Sequence, residues 1–232
     1  IAVIQSLDLS LFSAVRVLDP GAIEYTLAEQ TLPLQLILKT GNHNFVAIQN
    51  WCDYVGTRLE KVILSSELPK TKLAQYIAEL SKKSILVEVL GLGPILLFYT
   101  PRYLLTYQSD QDYRSTQQST ILSAMASCDE NTHKGFRLIE TKHGTLMFHA
   151  KDYCLVDRIP ELQAMNLGAF QVDFRQEEKF DTLLKIGALI KAYTPEAYQE
   201  FITAYSRKVT QCFYNANATD FAPDLIAGLK SV

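Results

Sequence analysis

Between Leu11 and Leu90, apolar runs of strand length alternate with helix-period segments at a repeat of about 25 residues, the pattern of consecutive βαβ units. The runs Leu11–Val17 (LFSAVRV), Leu34–Leu38 (LQLIL), Leu59–Leu64 (LEKVIL) and Ile85–Leu90 (ILVEVL) are almost continuously apolar, as parallel strands buried on both faces must be. The segments between them carry helix signals. Asp19-Pro20-Gly21 leads into a helix over Ala22–Gln30, a second helix covers Phe45–Val55, and Ser66-Glu67-Leu68-Pro69 opens a third through Leu73, Tyr76, Ile77 and Leu80. Parallel strands need crossover connections of helix length, so this rhythm excludes a helical bundle and an antiparallel sandwich for the first ninety or so residues.

The rhythm breaks at Gly91. Gly91–Leu105 (GLGPILLFYTPRYLL) is punctuated by glycine and proline, and residues 106–136 form a polar insertion rich in Gln and Ser, with one helix expected around Thr120–Ala126. Residues 137–149 read as a β-hairpin: Arg137–Thr141 and Thr145–His149 flank the turn Lys142-His143-Gly144. Lys151-Asp152 is expected to open a helical run, which Pro160 restarts and Gly168 ends. Ala169–Arg175 returns as a strand with Asp173 and Arg175 at its far end. Glu177–Ala192 is amphipathic, and Thr194-Pro195 caps a further helix.

The fold expectation is therefore α/β: TIM-barrel-like parallel strands in an incomplete or open barrel, with a β-hairpin and an insertion segment, in a single barrel-like domain over 1–232. About five βα units fit the chain, whereas a closed barrel needs eight and typically about 250 residues. The chain opens on Ile1 rather than Met. It is accordingly expected to be the C-terminal part of a larger barrel.

At 48% hydrophobic and 20% charged residues with a formal charge of −3, the composition is that of a globular domain with no general attraction for polyanions. No apolar run reaches the roughly 20 residues of a membrane span. The N-terminus has no signal-peptide pattern, and Cys52, Cys128, Cys154 and Cys212 form no CxxC pair. The expectations are reduced thiols, a cytoplasmic location and no membrane partner. Motifs for zinc proteases, serine hydrolases, P-loops and dinucleotide folds are absent from the sequence.

The segment His143–Arg175 resembles the collagenase-like peptidase family, peptidase family U thirty-two. There a hairpin ending in an N-S-K-D-L-C-L-I type stretch is followed by a strand ending in I-E-G-R. Lys151, Asp152, Cys154 and Leu155 match the first part, and Asp173 and Arg175 stand where Glu and Arg stand in the second. Upstream, Glu88–Leu105 is similar to the family's E-V-F-V-H-G-A-x-C-x-x-Y-S-G-R-C-L-L through Glu88, Gly93, Tyr99, Arg102, Leu104 and Leu105. Phe213–Phe221 (FYNANATDF) is similar to the family's F-N-R-G-F-T-x-G-F without its glycines, and Asn42 matches weakly. The resemblance runs from about Ser13 to Phe221 and omits the family's first two βα units.

This resemblance implies a peptidase, a hydrolase of unassigned catalytic type, acting on peptide or RNA-derived substrates. It further implies Glu88, Asp173 and Arg175 as catalytic candidates, and Asn42, Tyr99, Arg102, Lys151 and Asp152 as substrate-binding candidates, to which the place of His43 after a strand adds that residue. On the residues themselves, His43, Glu88, Asp173 and Arg175 are expected at or just past strand ends, where barrel enzymes carry their chemistry. Glu88, set in an apolar strand, requires a partner or an abnormal ionisation. Several relatives carry a [4Fe–4S] cluster on four cysteines and take part in RNA or ubiquinone hydroxylation, the latter as a heterodimer. In this chain Leu96 and Tyr103 stand at two of the cysteine positions, and Leu92 stands at the family's histidine. Only Cys154 remains, so no metal and no iron–sulfur cofactor is expected. Two alternatives stay open: a non-catalytic binding or scaffold subunit working with a partner chain or a missing N-terminal segment, and a hydroxylation-type accessory protein if a cluster is present after all.

Overall fold

The computed structural model of the protein describes residues 8–39, 42–105, 122–126, 135–174 and 180–216. These fall into two compact units. The first comprises Ile1–Gly91, Leu155–Val172 and Gln211–Val232, and the second Leu92–Cys154 and Asp173–Thr210.

The first unit begins as the sequence rhythm requires. Strand β1 (Val15–Val17) is followed by α1 (Pro20–Glu29), where Asp19 caps the helix by accepting the Ala22 N–H at 3.0 Å and Pro20 supplies a preset first turn. Next come β2 (Leu34–Leu38), α2 (Phe45–Val55), β3 (Leu59–Leu64), α3 (Lys70–Ser81) and the start of β4 (Leu86–Thr100). Strands β1, β2, β3 and β4 pair in parallel, each with the next. In β2 the side chains of Leu34, Leu36 and Leu38 are buried and those of Gln35 and Ile37 are half-buried, the period-2 signature of a strand with two different faces. The helices bury Ile23, Ile48, Cys52, Val55, Leu73, Tyr76, Ile77 and Leu80, and each large aliphatic side chain among them contributes about 1.5–3 kcal/mol by leaving water.

Strand β4 does not stop at Leu90. It continues through Gly91-Leu92-Gly93-Pro94 to Thr100 and enters the second unit, where it pairs antiparallel with β7. Proline has no N–H for the ladder, and the register shifts between Pro94 and Leu96. Within the second unit β5 (Leu122–Ala126), β6 (Phe136–Thr141) and β7 (Gly144–Cys154) form an antiparallel meander, β5 on β6 and β6 on β7. The helix expected around Thr120–Ala126 is thus a strand, held by its ladder to β6 against a weak local preference. The remainder of the 106–136 insertion up to Lys134 lies outside the described residues.

The hairpin turn is tighter than its sequence suggested. Lys142 and His143 form the loop, and Gly144 already pairs with Thr141. Gly144 has φ +123°, and a Cβ there would meet the Thr100 carbonyl oxygen and lie 2.7 Å from Pro101 Cα. Beyond the hairpin, Lys151 and Asp152 are extended within β7 rather than opening a helix. Two ladders hold them there: Pro94 of β4 stands opposite Asp152 on one side, and Val209 on the other.

The chain then returns to the first unit with α4 (Ile159–Ala164), which Pro160 does start, and β8 (Ala169–Val172) beside β4. Two backbone bonds advance together, Gly168 N–H to Val87 O at 3.0 Å and Asp173 N–H to Leu92 O at 2.8 Å, so β8 runs in the direction of β4. The second unit closes with α5 (Phe180–Lys191), α6 (Pro195–Ala204), capped by Thr194, and β9 (Val209–Thr210) parallel to β7. The protein is α/β, with parallel strands in the first unit and the hairpin region antiparallel. Among the described residues no helix is long and apolar enough to cross a membrane.

Candidate functional site

Glu88 lies three residues into β4 rather than at a strand end, and its residue is only 4% exposed. Its carboxylate is fully engaged. Arg16 of β1 donates Nη1–H to Oε1 and Nη2–H to Oε2, both at 2.9 Å, and Lys61 Nζ of β3 stands 3.4 Å from Oε2. Arg16 also donates to Gln35 Oε1 from Nε and Nη2, and Gln35 in turn donates to Glu60. A row of polar side chains thus crosses four parallel strands. The fork of the guanidinium matches the carboxylate, which is how a buried charge is kept at tolerable cost. A carboxylate with both oxygens so occupied is a counter-ion, poorly placed to take a proton from a substrate.

His43 sits in the loop after β2, beside the residues that follow β3. Its Nε2 is 3.0 Å from Glu67 Oε2 and 3.1 Å from Ser65 Oγ. A carboxylate only accepts, so contact with Glu67 places the ring proton on Nε2 and leaves the Nδ1 lone pair available in the neutral ring. No partner for Nδ1 occurs among the described residues. Ser65 is buried, and its hydroxyl accepts the Glu67 N–H at 3.2 Å, which marks it as a positioning group rather than an attacking one. His43, Phe45, Glu67, Lys72, Gln75 and Tyr76 line a cleft of about 440 Å³. Its wall is stiffened by Tyr76, whose ring stacks on Phe45 at 4.8 Å and whose hydroxyl donates to the His43 carbonyl at 2.8 Å. Asn42 adjoins this loop and also has a partner. This is the C-terminal end of parallel strands, the usual ligand side of such sheets.

The remaining candidates belong to the second unit. Asp152 is 3% exposed and accepts the Tyr205 hydroxyl at 2.6 Å, while Arg207 Nε stands 2.8 Å from the same Oδ2. Burial pushes the Tyr205 hydroxyl's pKa up, with the hydrogen bond and the charge of Asp152 adding to it. Asp152 is therefore the centre of a buried polar knot, and its substrate-binding reading has no open oxygen at Oδ2 to rest on. Tyr99 donates its hydroxyl to the His143 carbonyl at 2.7 Å, and Tyr103 does the same to Lys142 at 2.9 Å, so both brace the hairpin turn. Arg102 and Lys151 are exposed. Asp173 follows β8 directly, and Gly93 makes room for it: at φ +147°, a Cβ on Gly93 would lie 2.7 Å from Asp173 Cβ. Arg175 lies outside the described residues.

Within the first unit the fold assembles Asn42 and His43 and sets Glu88 in a separate ion-pair row. Within the second it holds Tyr99, opposite Leu146, away from Asp152, opposite Pro94, along the β4–β7 ladder. Sequence reasoning missed Arg16, Lys61, Ser65, Glu67, Tyr205 and Arg207. A signal existed for the first: VRV in β1 and VEV in β4 each set one charge between apolar strand residues, and the buried one, Glu88, needs an opposite charge within reach.

The sequence model of peptidase family U32 matches residues 1–222. The chain belongs to peptidase family U32. No curated protein and no solved structure matches it.

Within this U32 chain a four-cysteine cluster finds a poor donor set. The positions where the resemblance places two of the cysteines are Leu96 and Tyr103, whose side chains offer no thiolate. Cys154 ends β7 and is buried, Cys52 is buried in α2, and Cys212 is exposed. Burial raises the Cys52 thiol to about 11, away from the thiolate form a metal requires. Cys128 lies outside the described residues.

Proposed function

We propose that this U32 chain acts on a peptide or RNA-derived substrate through its own side chains, without a metal cluster. The observation that carries the reading is His43, whose Nε2 is engaged by Glu67 and whose Nδ1 is left for a ligand at the mouth of a cleft beside the parallel strands. In that arrangement His43 is the group able to move a proton, Glu67 fixes its tautomer, and Asn42, Lys72 and Gln75 contact the substrate. The reaction class is hydrolysis of a peptide-like bond by a water that His43 orients. The parallel strands β1 to β4 and β8 are read as part of an incomplete barrel of the TIM type.

A second reading, a non-catalytic binding subunit working with a partner chain, is favoured by Glu88. The carboxylate expected to do chemistry is held by Arg16 and Lys61 instead. One experiment separates the two. Purified protein is incubated with casein or gelatin beside His43→Ala and Arg175→Ala variants. Turnover lost in His43→Ala supports the hydrolase. Absence of turnover in every sample, with stable co-purification of another chain, supports the binding subunit.

A further inference from the structure

We infer that a cleft shared by α1 and α2, in the first unit, binds an organic ammonium ion whose charge is enclosed in alkyl groups. The inference does not rest on the His43 reading. Pro20 and Glu24 of α1 and Ala47, Asn50, Trp51 and Tyr54 of α2 line one cavity of about 400 Å³, a size that suits a small ligand. The four α2 residues are spaced three, four and seven apart, so they share one face of that helix. The rings of Trp51 and Tyr54 stand 6.0 Å apart between centroids, with their planes at 83°. Two aromatic walls thus meet at nearly a right angle. Trp51 is half-buried and Tyr54 is 50% exposed, so the corner they form is open to a ligand.

The charge at this corner is negative. Glu24 is the charged residue of the lining, and its carboxylate has no ion-pair or hydrogen-bond partner among the described residues. The two helices carry Glu24, Glu29 and Asp53 and neither lysine nor arginine. Of these, Asp53 is already matched by Lys83. The faces of the Trp51 and Tyr54 rings add the negative pole of their quadrupoles to the carboxylate. Carboxylate and rings therefore favour the same ligand charge.

The lining also decides what kind of cation fits. Pro20, Ala47 and the two rings make most of the surface apolar, and the acceptors are the Glu24 carboxylate, the Asn50 amide oxygen and the Tyr54 hydroxyl. A metal ion or a primary ammonium gives up strongly held water that so few oxygens replace poorly. An alkylated ammonium presents carbon to the rings, loses little hydration and keeps its attraction to Glu24.

Trp51 is the single tryptophan of the chain, so its emission reports on this cleft directly. The test is a fluorescence titration with choline chloride, methylammonium chloride and 3,3-dimethylbutan-1-ol, the uncharged isostere of choline, against sodium chloride at matched ionic strength. Choline is expected to change the emission saturably, and the isostere and methylammonium to bind about tenfold more weakly. Glu24→Gln, at an exposed position where the fold tolerates the change, is expected to weaken choline several-fold and leave the isostere unaffected. A general disturbance of the helices would not split the two ligands in this way. Tyr54→Leu is expected to weaken both, and Tyr54→Phe, which keeps the ring, to bind choline as the parent does. A choline response no larger than that to sodium chloride, isostere or methylammonium binding as tightly as choline, or choline affinity unchanged in Glu24→Gln would overturn the proposal.

Discussion

Arg16 and Glu88, 72 residues apart in the chain, are joined by two hydrogen bonds of 2.9 Å across the parallel strands, with Lys61 on the strand beside Glu88. Arg16→Met removes both bonds and leaves Lys61 as the one cation paired with this buried carboxylate among the described residues. The expected loss is about 2 kcal/mol, discounted from the usual cost of orphaning a buried charge because the Arg16 side chain is 40% exposed. Glu88→Gln added to Arg16→Met should recover part of it, since the charge that suffers is then gone. Urea denaturation of the single and double variants measures this, and strict additivity would show that the two residues do not interact.

Gly93→Ala tests the close approach of Asp173 to β4. The substitution places a methyl 2.7 Å from Asp173 Cβ and asks alanine to hold φ +147°. Both effects act on backbone that cannot move aside cheaply. A loss of about 2 kcal/mol or more is expected in the same denaturation assay, and a neutral result would contradict the packing of β8 on β4.

In the second unit, Tyr205→Phe deletes the hydroxyl that Asp152 accepts at 2.6 Å and leaves a buried carboxylate short of one donor. The expected cost is about 1–3 kcal/mol. Amide exchange should speed up at Asp152, whose N–H donates to the Lys208 carbonyl at 2.9 Å, since β9 is short and leans on this knot. Unchanged exchange would place the stability of β9 elsewhere.

The buried Cys52 thiol predicts an alkaline weakness. Desolvation raises its pKa from 9.0 to about 11, so in the window between these values the unfolded chain loses a proton that the folded chain keeps. Stability is therefore level below pH 9 and falls as pH rises towards 11, with a slope of roughly 1.4 kcal/mol for each step of one in pH at most. Burial raises Tyr205 and Tyr214 in the same direction. Melting temperature measured from pH 8 to 11 should drop less steeply in Cys52→Ala than in the parent, once referred to each protein's own value at pH 8.

The strands and helices up to β3 were legible because each is punctuated by its own chemistry: Asp19-Pro20 opens the first helix, Ser66-Glu67-Leu68-Pro69 the third, and the apolar run LQLIL marks a strand. The continuation of β4 was not legible. Gly91, Gly93 and Pro94 read locally as a break, and only the neighbours reveal why they are tolerated, Phe170 packing against Gly91 and Asp173 against Gly93. Asp152 was misread for the same reason. Its extended conformation comes from two ladders, and its role as a counter-ion comes from Arg207, a residue 55 positions on in the sequence. For the candidate site, Glu88's need for a partner was readable, but the partner's identity was not. His43 stood out as a loop histidine, while Glu67 carried no mark apart from its place after a strand.

The proposal that this U32 chain acts without a metal cluster makes a definite statement about iron. The protein is purified under strictly anaerobic conditions, reconstituted with ferrous iron and sulfide, desalted, and assayed for both elements and for visible absorption. With Leu96 and Tyr103 where two ligands would stand, the expected result is a colourless protein with iron and sulfide at background. Near-stoichiometric iron and sulfide with a broad visible band, lost in Cys154→Ala, would contradict the claim and return the chain to cluster-dependent chemistry.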